Sequence, residues 1–211
     1  MRFQQGVKLA AILLAAAVLG GCAFGRTYSY SDVPMGLQGA SSAGRVAVAV
    51  QDERSYVLSG AKSEQFVGLM RGGFGNPFDV NTSSGGPLAK EICDAIVRAM
   101  KARGIDAHAV GAQPSESMIA VKRDMEATKP YRAVLVTLRE WKSDTMMSTD
   151  LHYDVTLTVF DDSGAELATS SIKGMDNLGN LGLSPNEGIS RASARKLDTL
   201  FDDEKVLAAL K

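Results

Sequence analysis

The chain has 211 residues, 23 basic against 24 acidic side chains, a formal net charge of −1 and 45% hydrophobic residues. That length and apolar fraction suit one globular domain with a short extension. The mixed, nearly balanced charge argues against a general nucleic-acid face and against a patch for anionic lipid.

The chain opens on a short basic start, Arg2 and Lys8, followed by an unbroken apolar run from Leu9 to Leu19 and the small pair Gly20-Gly21 before Cys22. A basic start, an apolar core of this length and a small-residue cut site mark a secretory signal. The run is shorter than the roughly 20 apolar residues a transmembrane helix needs. Leu19-Gly20-Gly21-Cys22 resembles the lipobox of bacterial lipoproteins. The resemblance implies a diacylglyceryl thioether on the Cys22 sulfur, cleavage between Gly21 and Cys22, and an acyl chain on the new amine. Two or three chains give stable anchoring where one is marginal. Ala23 stands where Asp would retain such a protein, so the resemblance implies transfer to the outer membrane. Removing residues 1–21 leaves 190, and the loss of Arg2 and Lys8 takes the net charge from −1 to −3. Lipid, rather than charge, is then the expected hold on the membrane.

Residues 22–44 read as a lipidated flexible tether, rich in Gly, Ser and Tyr and without an apolar period. Val46 to Val50 alternates β-branched residues with alanine and reads as a buried strand. Residues 51–84 then lack periodicity and carry five glycines, Gly60, Gly68, Gly72, Gly73 and Gly75, with Pro77; a long loop inside a compact domain is uncommon and often functional. Pro87 opens a helix with Leu88, Ile92, Ile96, Ala99 and Met100 on one stripe, and Gly104 ends it. Ile105 to Val110 is a short strand, and 115–128 a second helix closed by Pro130. Ala133 to Trp141 is a strand, Leu151 to Val159 alternates apolar with polar, and Leu167 to Lys173 returns after the turn Asp161-Asp162-Ser163-Gly164. Ser184-Pro185-Asn186-Glu187 has the form of a capping box, and Asp202-Asp203 breaks the helix it begins. The expected architecture is α/β (α+β): a single mixed β-sheet of about five strands with two or three helices packed on it, because amphipathic helices need a sheet face to bury their stripes. Signal 1–21, tether 22–44 and one mixed domain 45–211 make up the expected organisation.

The segment Arg71-Gly-Gly-Phe74-Gly-Asn76-Pro-Phe78-Asp79 lacks the Gly-Lys-Ser/Thr of a Walker loop, and a dinucleotide fingerprint needs its glycines immediately after a strand, where none is expected. Phe74 and Phe78 read as plugs pinning an irregular loop. The sharper reading is a partner-binding loop carried by Arg71, Phe74, Asn76, Phe78 and Asp79. Asp52-Glu53-Arg54 reads as a local ion pair at a strand end, worth under about 1 kcal/mol if exposed. With Cys22 lipidated, Cys93 is unpaired, and burial as a small apolar residue is expected over a reactive thiol or an intermolecular bridge. Neither His108 nor His152 has a second ligand at zinc-site spacing, so no metal is expected. His152 and Asp154 read as a charge pair. Ser148, His152 and Asp154 lack the Gly-x-Ser-x-Gly elbow of a hydrolase. Trp141, Met146 and Met147 form either an interaction surface or a cap on the core.

The lipobox, the Val-rich first strand followed by Asp52-x-Arg54, the helix ending Lys101-Ala-Arg-Gly104 and the closing Val206-Leu-Ala-Ala-Leu210 together resemble small outer-membrane lipoproteins of the YajG type. The expected function is a periplasm-facing, non-catalytic binding or accessory subunit of a cell-envelope complex, with no cofactor, no nucleic acid and an envelope protein as partner. The alternative is a carrier of a small apolar ligand such as a lipid or a cell-wall fragment, which a large apolar cavity under the sheet would favour. An enzyme ranks third.

Overall fold

The computed structural model describes residues 26–182 and 184–211. The expected signal, its expected cut site at Gly21 and the expected lipidation at Cys22 lie outside them. The elements run β1 (Thr27–Tyr28), β2 (Val46–Asp52), α1 (Ser55–Leu58), β3 (Phe66–Arg71), β4 (Pro77–Thr82), α2 (Leu88–Ala102), β5 (Ala107–Val110), α3 (Met118–Glu126), β6 (Arg132–Thr145), β7 (Thr149–Phe160), β8 (Glu166–Asn177), α4 (Pro185–Phe201) and α5 (Glu204–Leu210). The class is the expected one, α+β on a single mixed sheet. The sheet has eight strands rather than about five, because the stretch read as an aperiodic loop contributes β3 and β4 and the tether contributes β1.

β6 organises the sheet. Along one edge it pairs antiparallel with β7 over nearly its whole length, and β7 pairs with β8. Its other edge is shared. β2 lies parallel to its first half, from Val46↔Arg132 to Asp52↔Leu138, and β3 lies parallel to its end, from Gly68↔Ser143 to Met70↔Thr145. β5 extends the sheet beyond β2, and β4 then β1 extend it beyond β3.

Period-two alternation in β2 serves two cores. Val46, Val48 and Val50 join the larger core on the face that α2 covers, while Ala47 and Ala49 meet Val121 and Met125 of α3 together with Leu135 and Phe160. Strands covered on both faces are buried at every position, as β2 is. α3 covers only that corner, so the alternate residues His152, Asp154, Thr156 and Thr158 of β7 remain half-exposed. α2 ends as expected, with Gly104 at φ +80°. α4 begins at Pro185, but Ser184 makes no side-chain cap bond, so the capping box is not formed. The break at Asp202 is real: Asp203 caps α5 by accepting from the Lys205 and Val206 amides.

The tether reading fails over residues 26–44. Tyr28, Tyr30, Val33 and Leu37 are fully buried in the larger core. Side chains of α2 and α4 hold the segment's backbone: Glu91 accepts from the Tyr30 amide at 2.7 Å, and Asp198 accepts from the Gly36 and Leu37 amides at 3.0 and 3.1 Å. Arg98 donates to the Ser31 and Val33 carbonyl oxygens. Composition suggested flexibility, but four spaced apolar side chains and satisfied amides make this segment a strap.

Candidate interaction surface

The hairpin β3–β4 projects from the end of the sheet. Gly75, at φ +80°, donates to the Gly72 carbonyl oxygen at 2.8 Å, and the Gly72 amide donates to the Asn76 carbonyl oxygen at 2.9 Å, closing a tight turn. Of the five residues expected to form a partner-binding loop, four are tied to the protein itself. Arg71 forms a two-pronged pair with Asp144 of β6, Nε to Oδ1 at 2.8 Å and an Nη to Oδ2 at 2.6 Å. Hydrogen bonding from Arg71 holds the Asp144 carboxyl below the usual carboxylate range, against a smaller opposing effect of burial. Asp79 accepts from Lys62 Nζ at 2.5 Å. Asn76 acts through its carbonyl oxygen, and Phe78 lies half-buried against Gly72. Phe74 is 99% exposed. It is not a plug: a tight turn points the tip residue away from the sheet, where no neighbouring element reaches it.

The Trp141–Met147 region separates cleanly. Trp141 is wholly buried and meets the Tyr30 ring edge-on at 6.4 Å, so it belongs to the core. Met146 and Met147 occupy the β6–β7 turn and are 56% and 84% exposed. Because Met70 pairs with Thr145, the β3–β4 tip and this turn project past the same end of the sheet. Arg26 lines a cleft there with Met70, Met146 and Met147.

Asp52 and Arg54 do form an ion pair, but a buried one, with side chains 1% and 0% exposed. All five guanidinium N–H groups have acceptors: the two Asp52 carboxylate oxygens at 2.7 and 2.6 Å, and the carbonyl oxygens of Phe66, Trp141 and Glu64 at 2.6, 3.2 and 3.3 Å. The pair is a structural junction with no free donor for a ligand. The Cys93 thiol donates to the Val48 carbonyl oxygen at 3.3 Å, and burial pushes its pKa up to about 12, which keeps it protonated and inert. The expected His152–Asp154 pair does not form. Asp154 binds Lys173 at 2.7 Å, while His108 bonds Asp106 at 2.6 Å. Among the described residues, no three His, Cys, Asp or Glu side chains gather as a metal site.

A surface cleft of about 340 Å³ runs between the start of α2 and the chain leaving β5, lined by Val50, Ala89, Cys93, Val110 and Pro114 among others. The space beneath the sheet is filled by the large core, so this cleft is an open groove at the sheet's edge rather than a cavity under it.

β8 has one paired edge and one open edge. It pairs with β7 from Glu166 to Asn177 with a bulge at Leu167, and among the described residues no strand pairs with its other side. Most of its side chains are exposed. Sequence reading placed this strand but not its isolation, since strand order depends on which segments cross between strands.

No protein family and no curated protein matches the chain. Among solved structures it is similar to protein XCC0632 of Xanthomonas campestris, a DUF330 protein, at 11% identity over 89% of this chain and 91% of that one, with a TM-score of 0.46. It is similar to PelC of Paraburkholderia phytofirmans, solved as a dodecamer, at 14% identity over 82% and 91% with a TM-score of 0.38. It is also similar to lipoprotein GNA1162 of Neisseria meningitidis, at 10% identity over 74% and 98% with a TM-score of 0.30. No described helix is long and apolar enough to cross a membrane.

Proposed function

We propose that this chain is a lipid-anchored protein of the bacterial outer membrane, held through Cys22 and facing the periplasm, that works without catalysis as a binding or accessory subunit of an envelope complex. The open edge of β8 carries the reading. An unpaired edge of twelve residues presents a row of backbone donors and acceptors, which natural proteins usually blunt, shorten or cover. Another extended chain can pair with such a row along its length, so the partner inferred here contributes a strand. Lys173 and Glu166 on β8 oppose indiscriminate pairing without closing the edge.

Native mass spectrometry of the lipidated protein, extracted from unwashed membranes in mild detergent, tests this reading. A heteromeric assembly of defined mass is expected, with alternate β8 amides exchanging about tenfold or more slowly than in the purified chain, as paired amides do. A chain that always emerges alone, with β8 amides exchanging equally in both states, would refute the accessory role. A discrete small adduct would instead move the function to the 340 Å³ groove beside α2, which is near the lower size limit for ligand sites.

A further inference from the structure

Over most of the surface the exposed large apolar side chains of the described residues stand singly or as one adjacent pair: Leu58 on α1, Met118 and Ile119 on α3, Tyr131 before β6, and Leu167 and Met175 on β8. Isolated residues of this kind need no explanation. One end of the sheet differs. There the β3–β4 tip carries Phe74, and the neighbouring β6–β7 turn carries Met146 and Met147, 99%, 56% and 84% exposed. Both turns extend past the strand ends at Met70↔Thr145. The side chains are an aromatic and two flexible thioethers, with no charged residue within either turn, 72–76 or 146–148.

The same end receives the chain from its N-terminal side. β1 runs parallel to β4, which leads away from the tip, so residue 26 enters from the tip's direction. Arg26 lines the cleft with Met146 and Met147. Cys22 lies four residues before it, a covalent reach of at most about 14 Å. Of the acids near this end, Asp144 has its charge offset by Arg71, while Asp150 accepts from the neutral Asn177 amide at 2.6 Å and keeps its charge.

We propose that this end of the sheet is a membrane-contact surface, in which Phe74, Met146 and Met147 enter the headgroup–acyl boundary of the bilayer beside the lipid on Cys22. The occupant follows from the tether length: a lipid on Cys22 cannot sit far from these turns, so the bilayer is the apolar phase within their reach. The contact fixes the orientation of the domain. β6 and β3 point their C-terminal ends at the membrane, while Phe160, Leu167 and the β7–β8 turn face away from it. The open edge of β8 then stands upright from the membrane, accessible from the side. The inference rests on the lipid anchor of the proposed function and adds to it a set of protein–bilayer contacts.

The test uses the mature lipidated protein in phosphatidylethanolamine–phosphatidylglycerol vesicles whose acyl chains are brominated, with Phe74→Trp compared with Leu167→Trp and with the unsubstituted protein as the Trp141 background. Phe74 is so exposed that the substitution leaves the fold untouched. Expected is a blue shift and a loss of about half the added emission for Phe74→Trp, as for an indole at the acyl boundary, and no change for Leu167→Trp. Protein that floats with the vesicles while its Phe74→Trp emission matches that of Leu167→Trp overturns the contact and leaves the anchor standing. A blue shift without bromine quenching, appearing only with envelope extract, assigns the tip to a protein and overturns it too. Failure to float overturns the anchor and the contact together.

Discussion

The guanidinium of Arg54 donates to the Trp141 carbonyl oxygen at 3.2 Å, at the place where β2 has left β6 and β3 has not yet joined it. β2 pairs as far as Leu138 and β3 begins at Ser143, so the edge of β6 between them lacks a strand. The Glu53 amide fills one position by donating to Leu138, and Arg54 fills another while also binding the Phe66 carbonyl oxygen of β3. One side chain thus joins three strands. Asp52 supplies the charge that lets it be buried.

Arg54→Ala leaves the Asp52 carboxylate buried and unpaired and removes partners from three carbonyl groups. A loss of about 3–5 kcal/mol is expected, seen as a lower midpoint in urea unfolding. Arg54→Lys is expected to recover only a small part, because an ammonium cannot match the two-pronged geometry.

Glu91 anchors the strap. Its carboxylate accepts from the Tyr30 and Ser31 amides and from the Ser84 hydroxyl. Glu91→Ala is expected to cost about 1.5–3 kcal/mol, the range for bonds to a charged group. Hydrogen exchange at Tyr30 and Ser31 should rise well before global unfolding, and a protease should cut within residues 26–40 first.

Gly68 is required by a close approach. A Cβ there would lie 2.6 Å from the Ser143 carbonyl oxygen, a backbone atom that cannot move aside without parting β3 from β6. Gly68→Ala is expected to destabilise by about 1–3 kcal/mol, the cost of overpacking, measurable as a drop in Tm.

The Arg71–Asp144 pair predicts an acid dependence. The Asp144 carboxyl is held low by Arg71, so its contribution is present above the unfolded-state value of about 3.9 and is lost as pH falls through the lower folded value. Stability at pH 3 relative to pH 6 should fall less in Asp144→Asn than in the unsubstituted protein, measured by thermal unfolding at both pH values.

Much of the fold was legible where periodicity was strong. The stripe Leu88, Ile92, Ile96 and Met100 and the alternation of β7 arise from side-chain spacing alone, and both elements stand where expected. Residues 51–84 misled because β3 and β4 are short, carry Gly68 where a strand side chain belongs, and meet at a glycine-rich turn. Of the candidate loop, only the exposure of Phe74 fits a residue free to bind, since Arg71 and Asp79 find partners far away in sequence at Asp144 and Lys62.

The sequence by itself determined the amphipathic helices and the class of fold, and it alone carries the expectation of a lipidated Cys22, because each depends on residues that are neighbours along the chain. Tertiary structure alone decided that the Gly- and Ser-rich strap is core, that Arg54 is buried and fully bonded, and that Phe74, Met146 and Met147 share one end of the sheet. The physical reason is that burial and adjacency depend on which strand pairs with which, and the parallel pairing of β3 with the end of β6 joins residues more than seventy positions apart.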